Sequence, residues 1–284
     1  MRLVRFSTGG GAIRCGLIQG NDVVALGDLV PGAPDSMKEV IAQWDSLAPK
    51  LKAAKANGVP LSGVKLHAPI PDPEKVMAIG LNYADHVEEA KSAGVTAPES
   101  QIWFCKMASS INDPNGDVEK PKSSAKLDYE VEMVAIIGKG GRHISKADAP
   151  GAIFGYAVGN DFSARDWQLK THQWVLGKSF DTHAPIGPCI VTADEVGEPH
   201  RLAIKCWVNG DLRQNSNTKH LIFNVWDQLE ELSQVMALKP GDILFTGTPG
   251  GVGMAQQLFL QPGDVVRCEI EELGAIENRI VAEA

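Results

Sequence analysis

Hydrophobic and polar positions change period several times along the chain, and each change predicts an element. Leu3-Val4-Arg5-Phe6 and Val23-Val24-Ala25-Leu26 carry the apolar-rich alternation of strands. From Ser36 the period lengthens to that of a helix, with Val40, Ile41 and Trp44 apolar and with Ser36 and Glu39 spelling a capping box. Three prolines in the run His67-Ala68-Pro69-Ile70-Pro71-Asp72-Pro73 then interrupt the pattern. They predict a boundary between a small α+β domain (1–70) without clustered polar chemistry and a larger, strand-rich domain (71–284). There, residues 127–138 and 152–159 contain unbroken apolar runs, as strands buried on both faces do. Residues 81–94 read as a short helix that Asn82 caps at one end and Gly94 at the other. A longer helix is expected over 219–238, where Leu221, Val225, Leu229, Leu232 and Met236 keep a helical period until Pro240. Lys239-Pro240-Gly241-Asp242 and Gln261-Pro262-Gly263-Asp264 spell type II turns, read as the punctuation of hairpins.

Polar residues set into these patterns are the candidates for chemistry. Glu130 and Glu132 are two apart on a strand, which turns both carboxylates to the face of Val134 and Ile136, while Tyr129, Val131 and Met133 turn to the other. Like charges this close in a poorly hydrated place push each other toward protonation unless a cation lies between them. Glu269 and Glu271 repeat the spacing and serve as a control, because Val266, Cys268 and Ile270 supply the inner face of that strand and its acids point to water. Glu130 and Glu132 therefore stand between two readings, a solvated face or a metal site. Asp161, at the end of the 152–159 strand and ahead of a helix that Ser163 could cap, adds a third carboxylate. Three oxygen donors without a cysteine or Cys-His pair suit Mg²⁺, Mn²⁺ or Ca²⁺ rather than Zn²⁺, with Mg²⁺ preferred because it keeps open positions for water and substrate.

On the 81–94 helix His86 and Glu89 are three apart and share a face, whereas Glu88 lies round the cylinder and reads as solvated. A carboxylate beside imidazole holds its tautomer and raises its basicity, as a water-activating base requires; the alternative is a surface ion pair.

Composition narrows the partners. The 284 residues carry a formal charge of −8 and no clustered Lys and Arg, which excludes nucleic acid and anionic membrane surfaces and favours a small molecule. No apolar run is long enough to span a bilayer, and the start lacks the apolar core of a signal peptide, so a cytoplasmic protein is expected. Five scattered cysteines without a C-x-x-C read as core thiols. The glycine-rich run from Gly247 to Gly253 lacks both the Gly-Lys-Ser/Thr of a P-loop and the third glycine of a dinucleotide fingerprint, which excludes nucleotide binding.

Five segments in one order, Asn82-Tyr83-Ala84-Asp85-His86, Asp128-Tyr129-Glu130-Val131-Glu132, Gly159-Asn160-Asp161-Phe162-Ser163-Ala164-Arg165-Asp166, Gly177-Lys178-Ser179-Phe180-Asp181 and Thr246-Gly247-Thr248-Pro249, together resemble the fumarylacetoacetate hydrolase family. The resemblance runs from about Pro69 to the C-terminus. It implies an α+β, mostly β architecture: a β-roll or distorted barrel behind a small α+β N-terminal domain, assembled as a homodimer. It implies metal ligation by Glu130, Glu132 and Asp161, a water-activating pair in His86 and Glu89, an active-site lysine in Lys178 and an oxyanion or substrate contact in Thr248. Tyr83, Arg165 and Gln168 are implied to lie beside the substrate. Lys106 matches the lysine of a Phe-x-Lys-Pro pattern that here reads Phe104-Cys105-Lys106-Met107, without its proline.

The activity expected on this basis is metal-dependent hydrolysis of the C–C bond of a 2,4-dioxo acid, acylpyruvate-like or a diketo-deoxy sugar acid, giving pyruvate and a carboxylic acid. Decarboxylation of an oxaloacetate-type 2-oxo acid and isomerisation of an unsaturated 2-oxo dicarboxylate are alternatives on the same site. A non-catalytic, metal-dependent binding protein is the alternative of another class.

Overall fold

The apolar run after Glu130 becomes the strand Val131–Ile137, buried at every position, at the centre of a computed structural model that describes residues 1–91 and 96–284. It pairs antiparallel with Ile153–Asn160 on one side and Ile243–Phe245 on the other. The hydrogen-bonded order continues through Ala184–Thr192, Arg2–Ser7, Arg14–Gln19 and Asp22–Ala25 to Val59–Pro60 in one direction. In the other it passes through Val76–Gly80 to Ile102–Cys105. Among the described residues this twelve-stranded sheet has two ends and does not close, so the protein is mostly β without the closed barrel that was one expected description. A five-stranded sheet, ordered Asp211–Asn217, Ala203–Val208, Val265–Ile270, Gly274–Ala282 and Val118–Lys120, packs on it.

Alternation along the central strand decides where its two faces go. Val131, Met133, Ala135 and Ile137 share a core with Ile204, Cys206, Val266 and Cys268 of the smaller sheet. Val134 and Ile136 share another with Leu3, Val24, Val40 and Ile41 of the N-terminal segment. Both faces therefore lose water, and each fully buried aliphatic side chain contributes roughly 1.5–3 kcal/mol, which is why the run from Met133 to Ile137 contains no polar residue. The N-terminal strands extend the large sheet, with Arg2–Ser7 pairing Ala184–Thr192. That segment also holds a polar link its composition did not announce: Ser7 Oγ lies 2.9 Å from His67 Nε2, and His67 Nδ1 lies 3.1 Å from Asp113 Oδ2.

Several local expectations yield to tertiary partners. The 219–238 helix is a 3₁₀ turn, Thr218–His220, followed by the helix Val225–Val235. Asn224 and Asp227 form a reciprocal capping box that fixes the later start. Leu221 instead bridges to Tyr83, and the Ile222 amide donates to the Asn82 carbonyl at 2.8 Å, so this stretch clamps the segment that leads to His86. That segment's helix is Ala84–Ala90; Gly94, its expected end, lies outside the described residues. Asn82 caps nothing, because its side-chain amide donates to the carbonyls of Phe223 and Thr246 at 3.0 and 2.8 Å. Ser36 precedes the helix Met37–Ala42 as expected, yet its side chain makes no cap bond. Ser163 lies in a short strand paired with Leu127–Asp128 and donates to the Asp161 carbonyl. Both Pro-Gly turns form, with Gly241 at φ +84° and Gly263 at φ +101°. Neither joins the strands of a hairpin: the first follows the helix Val225–Val235 and leads into Ile243–Phe245, which runs parallel to Val76–Gly80, and the second follows the helix Gly253–Gln256 and leads into Val265–Ile270. All five cysteines are free; Cys105 is half-buried and the other four are buried. Among the described residues no helix is long and apolar enough to cross a membrane.

Candidate metal centre and active site

At its N-terminal end the central strand carries Glu132 and, one residue before it begins, Glu130, on the face that elsewhere meets the N-terminal core. Here that face opens instead into a cavity of about 490 Å³. Asp161 follows directly after the neighbouring strand Ile153–Asn160, so antiparallel pairing brings it alongside: Val131 is opposite Asn160, and the Asp161 amide donates to the Glu130 carbonyl at 2.9 Å. Oxygens of all three carboxylates lie within 4.8 Å of one another, and all three residues are buried.

Three bases surround them. Lys178 Nζ donates to Glu130 Oε2 at 2.7 Å and to Asp161 Oδ2 at 2.6 Å. Lys106 Nζ donates to Asp161 Oδ1 at 2.6 Å. Arg165 pairs with Glu130 Oε1 at 2.7 Å and, through Nε, with Asp128 Oδ2 at 2.8 Å. Burial pushes the Glu130 carboxyl up, but Lys178 and Arg165 overcome it and hold the group down at about 2. Burial pulls the Lys178 ammonium down, and Asp161 and Glu130 more than offset that pull. Lys106 remains below its ordinary range, through burial and the nearby Lys178, despite Asp161.

Glu132 is different. Among the described residues it has no cationic partner within ion-pair distance, and its one hydrogen bond is from the Gly247 amide to Oε2 at 2.7 Å. Burial, then Asp161 and Glu130, drive its carboxyl far above the carboxylate range. With every group ionised, the buried set of four acids (Asp128, Glu130, Glu132, Asp161) and three bases (Lys106, Arg165, Lys178) is one positive charge short of neutral. A divalent cation fits this donor set: it favours the ionised form of Glu132 and leaves the site with one positive charge in excess, suited to an anionic ligand.

His86 and Glu89 face the same cavity from the helix Ala84–Ala90. His86 Nδ1 is 3.5 Å from Glu89 Oε2, outside hydrogen-bond geometry. Glu89 accepts the Gly251 amide on both oxygens, at 3.1 and 3.0 Å. Burial raises its carboxyl, but the nearby His86 and this amide bring it below the ordinary value. Asp85 secures the same helix by accepting from Ser216 Oγ and from the Gly250 amide. The turn into the helix is strained, with Leu81 at φ +54°. Gly247, at φ +105°, must be glycine, since a Cβ there would meet Asn82 Cβ at 2.8 Å. Glu88 is exposed, as its place on the cylinder implied.

Gln168, Arg165, Lys178 and Thr248 also line the cavity, and Ile79, Phe104, Leu169, Trp174 and Val252 form its apolar side. Arg165 NH1 donates to Gln168 Oε1 at 2.9 Å, while its buried NH2 has no hydrogen-bond partner among the described residues. Tyr83, Lys106 and Asp161 stand behind the lining. Tyr83 is fully buried, and Lys106 is enclosed between Asp161 and the Lys178 carbonyl. The Thr248 hydroxyl donates to the Val131 carbonyl at 2.9 Å.

Two contributors escaped sequence reasoning. Asp128 accepts from Arg165 and from the amides of Tyr129, Gly253 and Met254, tying Arg165 to the loop on the cavity's far wall. An acid at the polar end of a buried strand was its available signal. Gln214, on the smaller sheet, bonds to Val131 and Thr248, and nothing in the local sequence marks it.

The family profile described as "Fumarylacetoacetate (FAA) hydrolase C-terminal" matches residues 75–281. The mitochondrial oxaloacetate tautomerase of Xenopus laevis is 43% identical over 291 aligned positions, covering 99% of this chain and 90% of that one. Among solved structures, the maleylpyruvate hydrolase of Sphingobium sp. SYK-6 in complex with manganese(II) and pyruvate is 33% identical, with a TM-score of 0.85 and full coverage of both chains. The 5-carboxymethyl-2-hydroxymuconate delta-isomerase of Mycobacterium smegmatis is 34% identical, with a TM-score of 0.80 and the same coverage.

Proposed function

Because the chain belongs to the fumarylacetoacetate hydrolase family and is an enzyme, we propose that it moves a proton beside the 2-oxo group of an oxaloacetate-like dicarboxylic acid, interconverting keto and enol forms. The observation that carries this is one cavity lined by Glu130, Glu132, Arg165 and Lys178, with Asp161 clustered just behind the two glutamates, and lined also by His86 and Glu89. Identity of 43% to an oxaloacetate tautomerase across nearly the whole chain supports the choice of reaction.

A divalent ion held by Glu130, Glu132 and Asp161 supplies Lewis acidity at the 2-oxo group. Mg²⁺ is the first choice for an all-oxygen set, with Mn²⁺ or Ca²⁺ as substitutes. The free NH2 of Arg165, steadied by Asp128 and Gln168, takes a substrate carboxylate. Lys178 donates to the oxygen on which negative charge grows. Nδ1 of His86 is turned toward Glu89, which leaves Nε2 for the substrate; His86 takes the proton from carbon and returns it to oxygen, so no atom is gained or lost. Lys106 and Tyr83 act from behind the lining, Lys106 by fixing Asp161. The enzyme in this account is a cytoplasmic homodimer, and sedimentation of the purified chain measures the oligomer.

Hydrolysis of a 2,4-dioxo acid is the second reading, favoured by the same His86–Glu89 pair, which in that case activates water for attack at C4. One experiment separates the reactions. Purified protein with Mg²⁺ or Mn²⁺ is given enol-oxaloacetate and, separately, acylpyruvates in ¹⁸O water. Accelerated loss of enol absorbance with carbon conserved supports the tautomerase. Label in a released carboxylic acid identifies the hydrolase, and CO₂ release a decarboxylase. No turnover with any of these overturns the assignment to 2-oxo acid chemistry.

A further inference from the structure

The strand that carries Glu132 is not fully paired where it matters most. Ile153–Asn160 accompanies it from Val131 onward, but its other neighbour, Ile243–Phe245, reaches only Val134 to Ile136. Val131 lies between Glu130 and Glu132, and its amide and carbonyl point to that vacant edge, where buried backbone groups need partners.

Two side chains replace the absent strand. The Val131 amide donates to Gln214 Oε1 at 3.0 Å, and the Val131 carbonyl accepts from Thr248 Oγ1 at 2.9 Å. Gln214 Nε2 donates to Thr248 Oγ1 at 2.9 Å, which closes the ring, and to the Pro249 carbonyl at 2.8 Å. Gln214 is fully buried on the strand Asp211–Asn217 of the smaller sheet, opposite Cys206. A neutral amide suits the place because it accepts from one group and donates to two others without adding charge beside the acids. Since the Thr248 proton is committed to Val131, this hydroxyl serves the backbone of the acidic strand.

We infer that Gln214 is a positioning residue that holds Glu130 and Glu132 in register through Val131, and that Thr248 acts through the same ring. The inference rests on the metal reading of the site. Orientation of ligands by such outer groups typically changes metal affinity by about 10- to 100-fold.

Mn²⁺ titration calorimetry on the full chain, with kcat and KM on oxaloacetate, tests it. Gln214→Leu is expected to weaken Mn²⁺ binding by about tenfold or more and to lower kcat, with KM at saturating Mn²⁺ changed less than about twofold. Thr248→Val should do the same, Thr248→Ser should restore wild-type values, and the double variant should lose no more than the worse single one, because both break one ring. Should Gln214→Leu not fold, Thr248→Val, which retains the Gln214–Val131 bond, carries the same test. Wild-type affinity in both single variants overturns the inference, as do losses that multiply, or a fall in kcat for Thr248→Val at unchanged Mn²⁺ affinity. A wild-type chain that binds no Mn²⁺ fails the metal reading itself, whereas a wild type that binds beside variants that bind equally fails the ring alone.

Discussion

In the strand Val265–Ile270, Glu269 leans on Arg267 at 2.5 Å with both side chains more than two-fifths exposed. Glu130 has the same spacing to Glu132 that Glu269 has to Glu271, yet it is held at 2.7 Å by Lys178 and by Arg165 in the interior. Spacing alone gave both pairs a common face; what lies against that face gave them different chemistry. Water screens the outer pair and reduces its ion pair to a fraction of a kcal/mol. The inner pair has traded water for fixed charges, so an unbalanced charge there is costly, and the unmatched Glu132 carboxyl is driven far above the carboxylate range. Of the inner pair Glu130 is matched by two bases, whereas Glu132, buried beside it, has no cationic partner within ion-pair distance among the described residues.

The largest expected effect is at Glu132. Glu132→Gln keeps the shape and removes the charge, and should abolish measurable Mn²⁺ binding in calorimetry and lower turnover by about 10³-fold, the scale of losing a central electrostatic contact. Next is His86→Ala, expected to reduce turnover by about 10²-fold or more while Mn²⁺ affinity stays at its wild-type value. Loss of Mn²⁺ binding in that variant would show that the two walls of the cavity are not separable.

A smaller effect comes from His183, buried beneath the site with Nε2 2.9 Å from the Glu119 carbonyl. Burial lowers its imidazole from 6.5 to about 4. Between those values the unfolded chain binds a proton that the native chain refuses, so stability rises with pH, is complete above 6.5 and is lost as pH falls toward 4. Urea unfolding should show about 2 kcal/mol lost from this group between about pH 7 and pH 5, and His183→Gln should flatten that slope. The smallest effect is at the outer pair, where Glu269→Gln should change stability by less than about 0.5 kcal/mol and leave turnover untouched. A large loss there would erase the contrast between the two strands.

Much of the site was legible in the chain because its chemistry is local in sequence. A two-residue spacing on a strand and a three-residue spacing on a helix fix which side chains share a face, whatever the surroundings, and the order of motifs named the family. The helix over 219–238 was misplaced because apolar Leu221 and Ile222 fit the helical period equally well when spent on clamping Tyr83 and Asn82. Asn82 and Ser163 have the composition of caps, but Asn82 was taken by the distant carbonyls of Phe223 and Thr246, and Ser163 by a short strand and the Asp161 carbonyl two residues before it.

The sequence by itself determined that two glutamates would lie on one face, that an acid would end the neighbouring strand, and that a histidine would travel with a glutamate. Only the tertiary structure decided that Asp161 falls beside Glu130, that Arg165, Lys178 and Lys106 balance all but one of the buried acids, and that Gln214 from another sheet completes the edge at Val131. The physical reason is that periodicity sets direction along one element, whereas charge balance and hydrogen-bond completion are properties of a volume, filled by residues as far apart in the chain as Gln214 and Val131.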